Sequence, residues 1–220
     1  SQGLSLHWCK TKWGEWKKLS ISLNFLIISK SWTPVTSNNK HKVEEIRSLV
    51  GDRIKIISLS ELGCKEEIPE TGETLEENAR QKARYIWEKY GKDCFADDTG
   101  LMVDALDGKP GVYSARFAGE KCSFDDNIDL MLEMMEGKTN RKAYFSTVIC
   151  LIEQGEEKLF EGFCPGSILT ERYGRGGFGY DPIFIPDGYG ESFAEMSLEE
   201  KNKISHRGKA TDKLIKYLLK

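Results

Sequence analysis

The 220-residue chain is long enough for one domain with a sizeable core, and its 39% hydrophobic and 30% charged residues are typical of a globular protein. The formal net charge is −3; residues 1–35 hold five Lys and one Glu (+4), which leaves −7 for the remainder. An acidic body argues against nonspecific binding of duplex DNA, which requires cationic neutralisation of the backbone.

The longest apolar run, at 23–28, is far too short to span a bilayer. The six cysteines are widely spaced without a C-x-x-C pair, so the pattern favours free thiols in a reducing compartment over a zinc or redox site. We therefore expect a cytoplasmic protein without nucleic-acid or membrane partners. Residues 1–30 show no persistent period, and we expect an N-terminal extension of unknown role before one domain over residues 31–220.

In chain order, helical and extended patterns alternate. The predicted elements are an extended segment at 25–28 or 31–35, a helix over 43–50 that ends at Gly51, a strand over 54–59, a helix from Thr74 to about Tyr90, a short strand at Cys94–Ala96, a helix over 124–136, hairpin strands over 143–152 and 159–169, a strand over 183–185 and a helix from Ser205. This mixture predicts an α/β fold with a mixed sheet. Pro34 cannot donate to a sheet ladder, so the pairing of the first strand stays open.

The helix from Thr74 begins with a capping box formed by Thr74 and Glu77. At 100° per residue, Lys82 falls inside the apolar stripe of this helix, with Asn78 beside it. A lysine there either extends to solvent along its aliphatic stem or points its ammonium into a polar cleft. Glu70, just before the helix, can turn its carboxylate towards the same region.

Asp97 and Asp98 directly follow the predicted strand at Cys94–Ala96, where ligands of α/β sheets usually bind. Adjacent carboxylates repel, so two ionised acids favour a cation between or beside them. Oxygen ligands without a His or Cys partner indicate Mg²⁺ rather than zinc. The alternative is a turn in which Asp97 only caps backbone N–H groups.

The segment 176–182 contains three glycines and a proline, which suit a loop that approaches a ligand closely while holding two aromatic rings and a carboxylate. Such a loop suits a flat, hydrogen-bonding ligand such as a nucleobase. Further on, His206 and Arg207 follow Ser205 at a predicted helix start. Cations there oppose the helix dipole, which makes sense if an anion or a carbonyl oxygen docks at that terminus.

Taken together, these segments resemble the inosine triphosphate pyrophosphatase family, the dITP/XTP pyrophosphatases that remove non-standard nucleotides. The resemblance runs from about residue 35 to the end, in the family's order. The matching segments are Ser37–Lys42, Glu70–Ala79 with Lys82 and Ala83, Ala96–Leu101, Pro110–Arg116, Phe178–Pro182, and Phe193–Met196 leading to Lys201 and Ser205–Arg207.

The resemblance implies an elongated mixed β-sheet flanked by helices, with two lobes and a central nucleotide cleft. It implies that residues 31–220 form a nucleoside triphosphate pyrophosphatase domain that acts as a homodimer. The implied reaction is the Mg²⁺-dependent hydrolysis of non-standard purine nucleoside triphosphates (ITP, dITP and XTP) to the monophosphate and pyrophosphate, which cleanses the nucleotide pool.

By the same resemblance, Asp98 accepts the proton of the attacking water and holds Mg²⁺ together with Glu70. Lys42, Lys82 and Lys201 grip the phosphates, Phe178 stacks on the purine, and Asp181, His206 and Arg207 read its edge. The complete implied substrate-binding set is Ser37, Asn39, Lys42, Lys82, Thr99, Phe178, Gly179, Tyr180, Asp181, Lys201, His206 and Arg207.

Two alternatives remain open at this point. The chain could be a nucleotide-binding module without catalysis, although a mere binder has no need of the Glu70 and Asp98 pair. It could also belong to the related fold group that hydrolyses modified pyrimidine nucleotides, against which the loop from Phe178 to Asp181 argues.

Overall fold

The computed structural model describes residues 8–10, 16–18, 33–35, 40–51, 56–58, 68 and 70–220. The chain divides into two units, residues 1–30 and residues 31–220. In the first unit, strand β1 (Trp8–Lys10) pairs antiparallel with strand β2 (Trp16–Lys18). The extended segment expected at 25–28 lies outside the described residues, as do Ser37 and Asn39.

The second unit mixes helices and strands, as expected. Its strands are β3 (Thr33–Val35), β4 (Ile56–Ser58), β5 (Cys94–Val103), β6 (Pro110–Gly111), β7 (Lys142–Glu153), β8 (Glu156–Ile168) and β9 (Phe184–Pro186). Its α-helices are α1 (Lys40–Val50), α2 (Leu75–Tyr90), α3 (Phe124–Met134), α4 (Leu198–Ile204) and α5 (His206–Leu218). Within the described part of the chain, no helix combines the length and the apolar character that a membrane crossing requires.

The sheet of the second unit has the strand order β4-β3-β5-β7-β8-β9, and β6 pairs with β5. Strands β4, β3 and β5 are parallel, whereas β5, β7, β8 and β9 are antiparallel neighbours. Strands β5, β7 and β8 contain 10, 12 and 13 residues. At ~3.4 Å per residue they are about 34 to 44 Å long. The predicted α/β fold with an elongated mixed sheet is confirmed.

The hydrophobic core collects at the two ends of these long strands. At one end, Leu101 and Phe145 pack with α3 and the region of β9. At the other end, Phe95 packs with α1 and α5 on one face of the sheet, and Ala96 packs with α2 on the opposite face. Buried polar residues separate the two ends along β5 and β7, among them Thr147. The long strands therefore join two lobes and place polar groups between them.

Several helix ends follow the sequence signals. The Thr74 hydroxyl accepts a hydrogen bond from the Glu77 N–H, and the Glu77 carboxylate accepts one from the Thr74 N–H, both at 3.1 Å, which confirms the predicted capping box. Helix α1 ends before Gly51, whose φ of 55° is left-handed and favours glycine. In the hairpin of β7 and β8, Gln154 and Gly155 both have positive φ, which matches the right-handed strand twist.

Three expectations need correction or completion. Strand β5 does not end at Ala96, because β7 pairs with it from Cys94 to Val103 and continues the ladder past Asp97 and Asp98. The helix predicted from Ser205 is confirmed as α5 and directly follows α4, because Ser205 ends α4 and caps α5. Strand β3 pairs on both sides despite Pro34, although its pairing with β5 is limited to Val35 opposite Phe95.

Candidate active site

A cavity of about 800 Å³ lies in the second unit beside the middle of β5. Along one edge of β5, β3 ends opposite Phe95, and β6 pairs with Leu101 and Met102. The segment between these two pairings carries the polar residues from Asp97 to Gly100, all of which line the cavity. Its volume is within the range of small-molecule sites, which is about 300 to 1,000 Å³.

Asp97 and Asp98 point to opposite faces of the sheet because successive strand residues alternate. Asp97 lies on the face that carries α1 and α5, where Lys42 contacts it at 3.0 Å. Asp98 lies on the face that carries α2, where Lys82 contacts it at 2.7 Å. Of the two arrangements expected for a cation near these acids, between them or beside them, the structure shows the second: Lys42 lies beside Asp97 and Lys82 beside Asp98.

The Asp98 face forms a compact acidic and basic cluster. The Lys82 ammonium donates to Asp98 Oδ1 and to Glu70 Oε1, each at 2.7 Å. Asn78 donates to Asp98 Oδ2 at 3.3 Å and accepts from the Gly72 N–H at 2.8 Å, so it ties α2 to the loop that carries Glu70. Lys82 was expected either to extend to solvent or to point its ammonium into a polar cleft, and the structure shows the second arrangement.

Charge states at this cluster follow from burial and ion pairing. Burial raises the pKa of Asp98 above its ordinary value, and Lys82 offsets only part of that rise. Burial also opposes ionisation of Glu70, but Lys82 outweighs it and lowers the Glu70 pKa. Burial alone would lower the pKa of Lys82, yet the carboxylates of Asp98 and Glu70 raise it. Lys82 therefore remains a cation.

On the opposite face, Asp97 accepts from Thr99 at 3.3 Å and lies 3.8 Å from the Nε atom of Arg207. Burial would raise the pKa of Asp97, but Lys42 and Arg207 outweigh it and hold that pKa far below its ordinary range. Asp97 is thus a permanent anion, and it neutralises cations that belong to two different helices.

The loop before β9 is shaped around Asp181. Asp181 Oδ2 accepts from the Phe178 N–H at 2.8 Å and from the Lys201 ammonium at 2.7 Å. Gly177 has φ 69°, and a Cβ atom there would lie 2.1 Å from Asp181 Oδ2. Glycine is therefore required at 177, because any side chain would displace the carboxylate that fixes Phe178.

Phe178 lines the cavity and is surrounded by rings and cations. His41 of α1 stacks on it with a centroid distance of 5.3 Å and an interplanar angle of 15°, and Phe124 of α3 is tilted against it at 6.1 Å. The Lys201 ammonium and the Arg207 guanidinium carbon lie 5.0 Å and 5.5 Å from its centroid. This end of the cavity can hold a flat aromatic ligand close to positive charge.

His206 is not the cation that its place beside Arg207 suggested. Its ring stacks on Phe145 at 4.5 Å and 15°, and burial, together with nearby Arg207, lowers its pKa well below 6.5. His206 Nδ1 and Arg207 Nε are buried without a hydrogen-bond partner in the part of the chain that the structure describes. Both side chains line the cavity, so it presents a neutral imidazole and a guanidinium.

A close approach between β8 and α5 sets the position of these two residues. A Cβ atom on Gly162 of β8 would lie 2.0 Å from the His206 carbonyl oxygen. The Ser205 hydroxyl accepts from the Gly208 N–H at 3.1 Å and caps the helix start. The first turn of α5 is thereby pressed against the sheet.

The cavity brings together every predicted site residue that the structure describes. These are Lys42, Glu70, Lys82, Asp98, Thr99, Phe178, Gly179, Tyr180, Asp181, Lys201, His206 and Arg207. The sequence assigned no role to Arg116, which lies 3.6 Å from Glu70, or to Glu45, a buried carboxylate that contacts Lys201 and Arg207. No helical or strand period singles out either residue.

Comparison with known proteins identifies the family of the chain. A family model described as the Ham1 family matches residues 34–217. The chain belongs to the Ham1 family. A protein named dITP/XTP pyrophosphatase from Flavobacterium psychrophilum is 56% identical over 181 residues, which cover 82% of this chain and 95% of that relative. One with the same name from Christiangramia forsetii is 53% identical and covers 84% and 97%.

Solved structures of the family share the fold. The Staphylococcus aureus Ham1 protein is 39% identical with a TM-score of 0.78, and a HAM1 protein from Coxiella burnetii is 38% identical with a TM-score of 0.79. Each match covers 86% of this chain and 98% of the other. The predicted family and fold are therefore confirmed.

Proposed function

We propose that this Ham1-family chain hydrolyses non-standard purine nucleoside triphosphates (ITP, dITP and XTP) to the monophosphate and pyrophosphate, and so removes them from the nucleotide pool. The observation that carries the proposal is one cavity with a carboxylate and lysine end at Asp98 and an aromatic and guanidinium end at Phe178. The names of the relatives from F. psychrophilum and C. forsetii support the same reaction.

In this proposal the phosphates lie among the lysines. A water attacks a phosphorus atom of the α–β anhydride while Asp98 accepts its proton, and the anhydride bond between the α- and β-phosphates breaks, so that the monophosphate and pyrophosphate separate. Lys82 and Lys42 are released from Asp98 and Asp97 to bind the phosphate oxygens. Lys201, which lies beside Phe178, binds the part of the triphosphate that is nearest the base. Phosphoryl transfer depends on positioning and charge neutralisation more than on covalent catalysis, and ion-paired lysines can supply both. Ser37 and Asn39 are proposed as further phosphate contacts.

The donor set fits Mg²⁺. Five Lys or Arg side chains and five Asp or Glu side chains are among the described residues that line the cavity, so a triphosphate enters a site without net charge. Mg²⁺ is commonly held by one or two carboxylates together with substrate phosphates, and Glu70 and Asp98 supply two oxygen donors on one side of the cavity. When bound, the ion neutralises phosphate charge and activates water.

The proposed selectivity follows from donors at the ring end. A guanidinium can only donate, so Arg207 pairs with a 6-oxo group and leaves a 6-amino group facing a donor. An unmatched buried polar group is costly, which discriminates against adenine. His206 is neutral and can donate or accept, so Arg207 carries more of this discrimination. Asp181 supports it by fixing Phe178.

The test is a panel of ITP, dITP, XTP, ATP, GTP and TTP with Mg²⁺, in which pyrophosphate and orthophosphate are measured separately. We expect pyrophosphate from the 6-oxo, non-standard nucleotides in clear preference to ATP. Orthophosphate as the first product, or faster turnover of TTP, would contradict the proposal. Binding of ITP by calorimetry without any product would support the non-catalytic alternative.

We also propose a homodimer located in the cytoplasm. The described cysteines Cys94, Cys122, Cys150 and Cys164 are free thiols, which accords with a reducing compartment. Exposed Tyr144 and Phe163 form a neighbouring ring pair, with centroids 6.4 Å apart, on strands β7 and β8, and exposed aromatic surface of this kind suits a contact between copies. Light scattering of the purified protein would give the mass; a monomer at micromolar concentration would contradict the dimer.

A further inference from the structure

Glu45 of α1 connects two cations that belong to two other helices. Its Oε1 atom accepts from the Lys201 ammonium of α4 at 2.8 Å, and its Oε2 atom accepts from Arg207 Nη1 of α5. The residue is 5% exposed, and both partners line the cavity. A single carboxylate behind the cavity wall thus joins three helices.

The surroundings of Arg207 leave its guanidinium little freedom. Nη1 donates to Glu45, Nη2 donates to Thr99 at 3.2 Å, and Nε lies 3.8 Å from Asp97. Lys201 is held between Glu45 and Asp181 at 2.8 Å and 2.7 Å. Among the described residues, Glu45 is therefore the carboxylate that forms ion pairs with both cations of the ring end.

The Glu45 carboxylate is ionised despite its burial. Burial alone would raise its pKa, but Arg207 and Lys201 outweigh that effect and lower the pKa below its ordinary value. A buried carboxylate between two cations restrains their geometry, and its removal leaves Lys201 with Asp181 and Arg207 with Asp97 as the remaining carboxylates. Glu45 can therefore control where the guanidinium points.

A fixed donor discriminates better than a mobile one. If Arg207 could swing aside, an adenine amino group could enter without a donor facing it, and the penalty would fall. If Arg207 is held in place, the amino group of adenine must face its N–H donors. This contact between two donors is a repulsive element against the wrong base. Arginine has many rotamers, so the restraint has to come from its partners.

We propose that Glu45 is a positioning residue that sets purine specificity by holding Arg207 and Lys201 in one geometry. This inference rests on the proposed function, and it adds a residue that contacts no substrate itself. The relative turnover of ITP and ATP distinguishes this role from mere stabilisation of the fold, because loss of stability alone would reduce the turnover of both nucleotides equally.

The experiment compares Glu45→Gln and Glu45→Asp with the matched control Glu44→Gln, which changes an exposed glutamate one position away. The readout is the ratio of kcat/KM for ITP to kcat/KM for ATP, with circular dichroism to verify folding. We expect Glu45→Gln to lower the ratio by about tenfold or more, which is a typical size for loss of one selective contact. Glu45→Asp keeps the charge but withdraws the carboxylate, so its ratio should be intermediate, and that of Glu44→Gln should be unchanged.

An unchanged ratio in both Glu45 variants, with equal losses for ITP and ATP, would overturn the inference. If Glu45→Gln fails to fold, the ratio of Glu45→Asp decides alone. A wild-type protein that turns over neither nucleotide, or both equally well, would instead overturn the proposed function, and the inference with it. A selective wild type with an unaltered ratio in the variants would overturn only the role of Glu45.

Discussion

The two ends of the cavity are built from similar residue types but by different means. At the phosphate end, Lys82 bridges Glu70 and Asp98 through ion pairs that a phosphate and a metal ion could replace. At the ring end, Asp181 pairs with Lys201 but also accepts a hydrogen bond from the Phe178 N–H, and His206 is stacked on Phe145, so these side chains are fixed by the fold as well as by charge.

The difference indicates a division of labour. Ion pairs that exchange partners suit charge neutralisation during hydrolysis, whereas fixed rings and donors suit recognition. Substitutions at the phosphate end should therefore alter turnover and leave base preference intact. Substitutions at the ring end should alter affinity or preference and have less effect on the turnover of bound substrate.

The largest effect is expected for Asp98→Asn, which removes charge and proton acceptance while conserving volume. We expect kcat for ITP to fall by about 10³-fold, as is typical for loss of a general base. The preference for ITP over ATP in calorimetric binding should not change, because the ring end is untouched. Asp107→Asn, at an exposed left-handed position, is the control. A shift in base preference in Asp98→Asn would remove the distinction between the two ends.

Lys82→Met should have the next largest effect, because it conserves length but leaves Glu70 and Asp98 without their shared cation. We expect about 2 to 3 kcal/mol lower stability, because an unpaired buried charge is costly, towards the low end since Glu70 is partly exposed. The melting temperature measures this loss. Added Mg²⁺ should raise the melting temperature of the variant more than that of the wild type, since the ion supplies the missing charge. Equal shifts in both proteins would contradict the proposed metal position.

Phe178→Ala should weaken binding rather than chemistry. Stacking of a base on an aromatic side chain contributes about 1 to 3 kcal/mol, so we expect KM for ITP to rise by about 5- to 150-fold with a smaller change in kcat. Tyr189→Ala removes an exposed ring that does not line the cavity and serves as the control. A fall in kcat without a change in KM would show that Phe178 acts on catalysis instead.

The smallest effect concerns acid stability. Because Arg207 and Lys201 lower the pKa of Glu45, its stabilising contribution is complete above the ordinary value of 4.5 and is lost as the pH falls through the lowered pKa. Urea unfolding at a series of pH values should therefore show that wild type loses more stability below pH 4.5 than Glu45→Gln does. Parallel pH profiles would contradict the ion-pair assignment.

Sequence patterns predicted the structural features that depend on local hydrophobic periodicity and on short motifs. The position of Lys82 in an apolar stripe indicated a cation beneath the surface, and the capping box at Thr74 located the start of α2. The sequence could not indicate that the side chains of Asp97 and Asp98 point to opposite faces of the sheet, because this follows from the pairing of β5 with β7 through both residues. The neutral state of His206 depends on burial by distant Phe145. Glu45 lies off the apolar face of α1, so only its tertiary contacts show a role.

The most direct test of the division between the two ends is a crystal structure of the Asp98→Asn variant with ITP and Mg²⁺. We expect the hypoxanthine ring against Phe178 with its 6-oxo group towards Arg207, and the phosphates beside Lys82 and Lys42. A base bound beside Glu70 and Arg116, with the phosphates at the Phe178 end, would contradict this account.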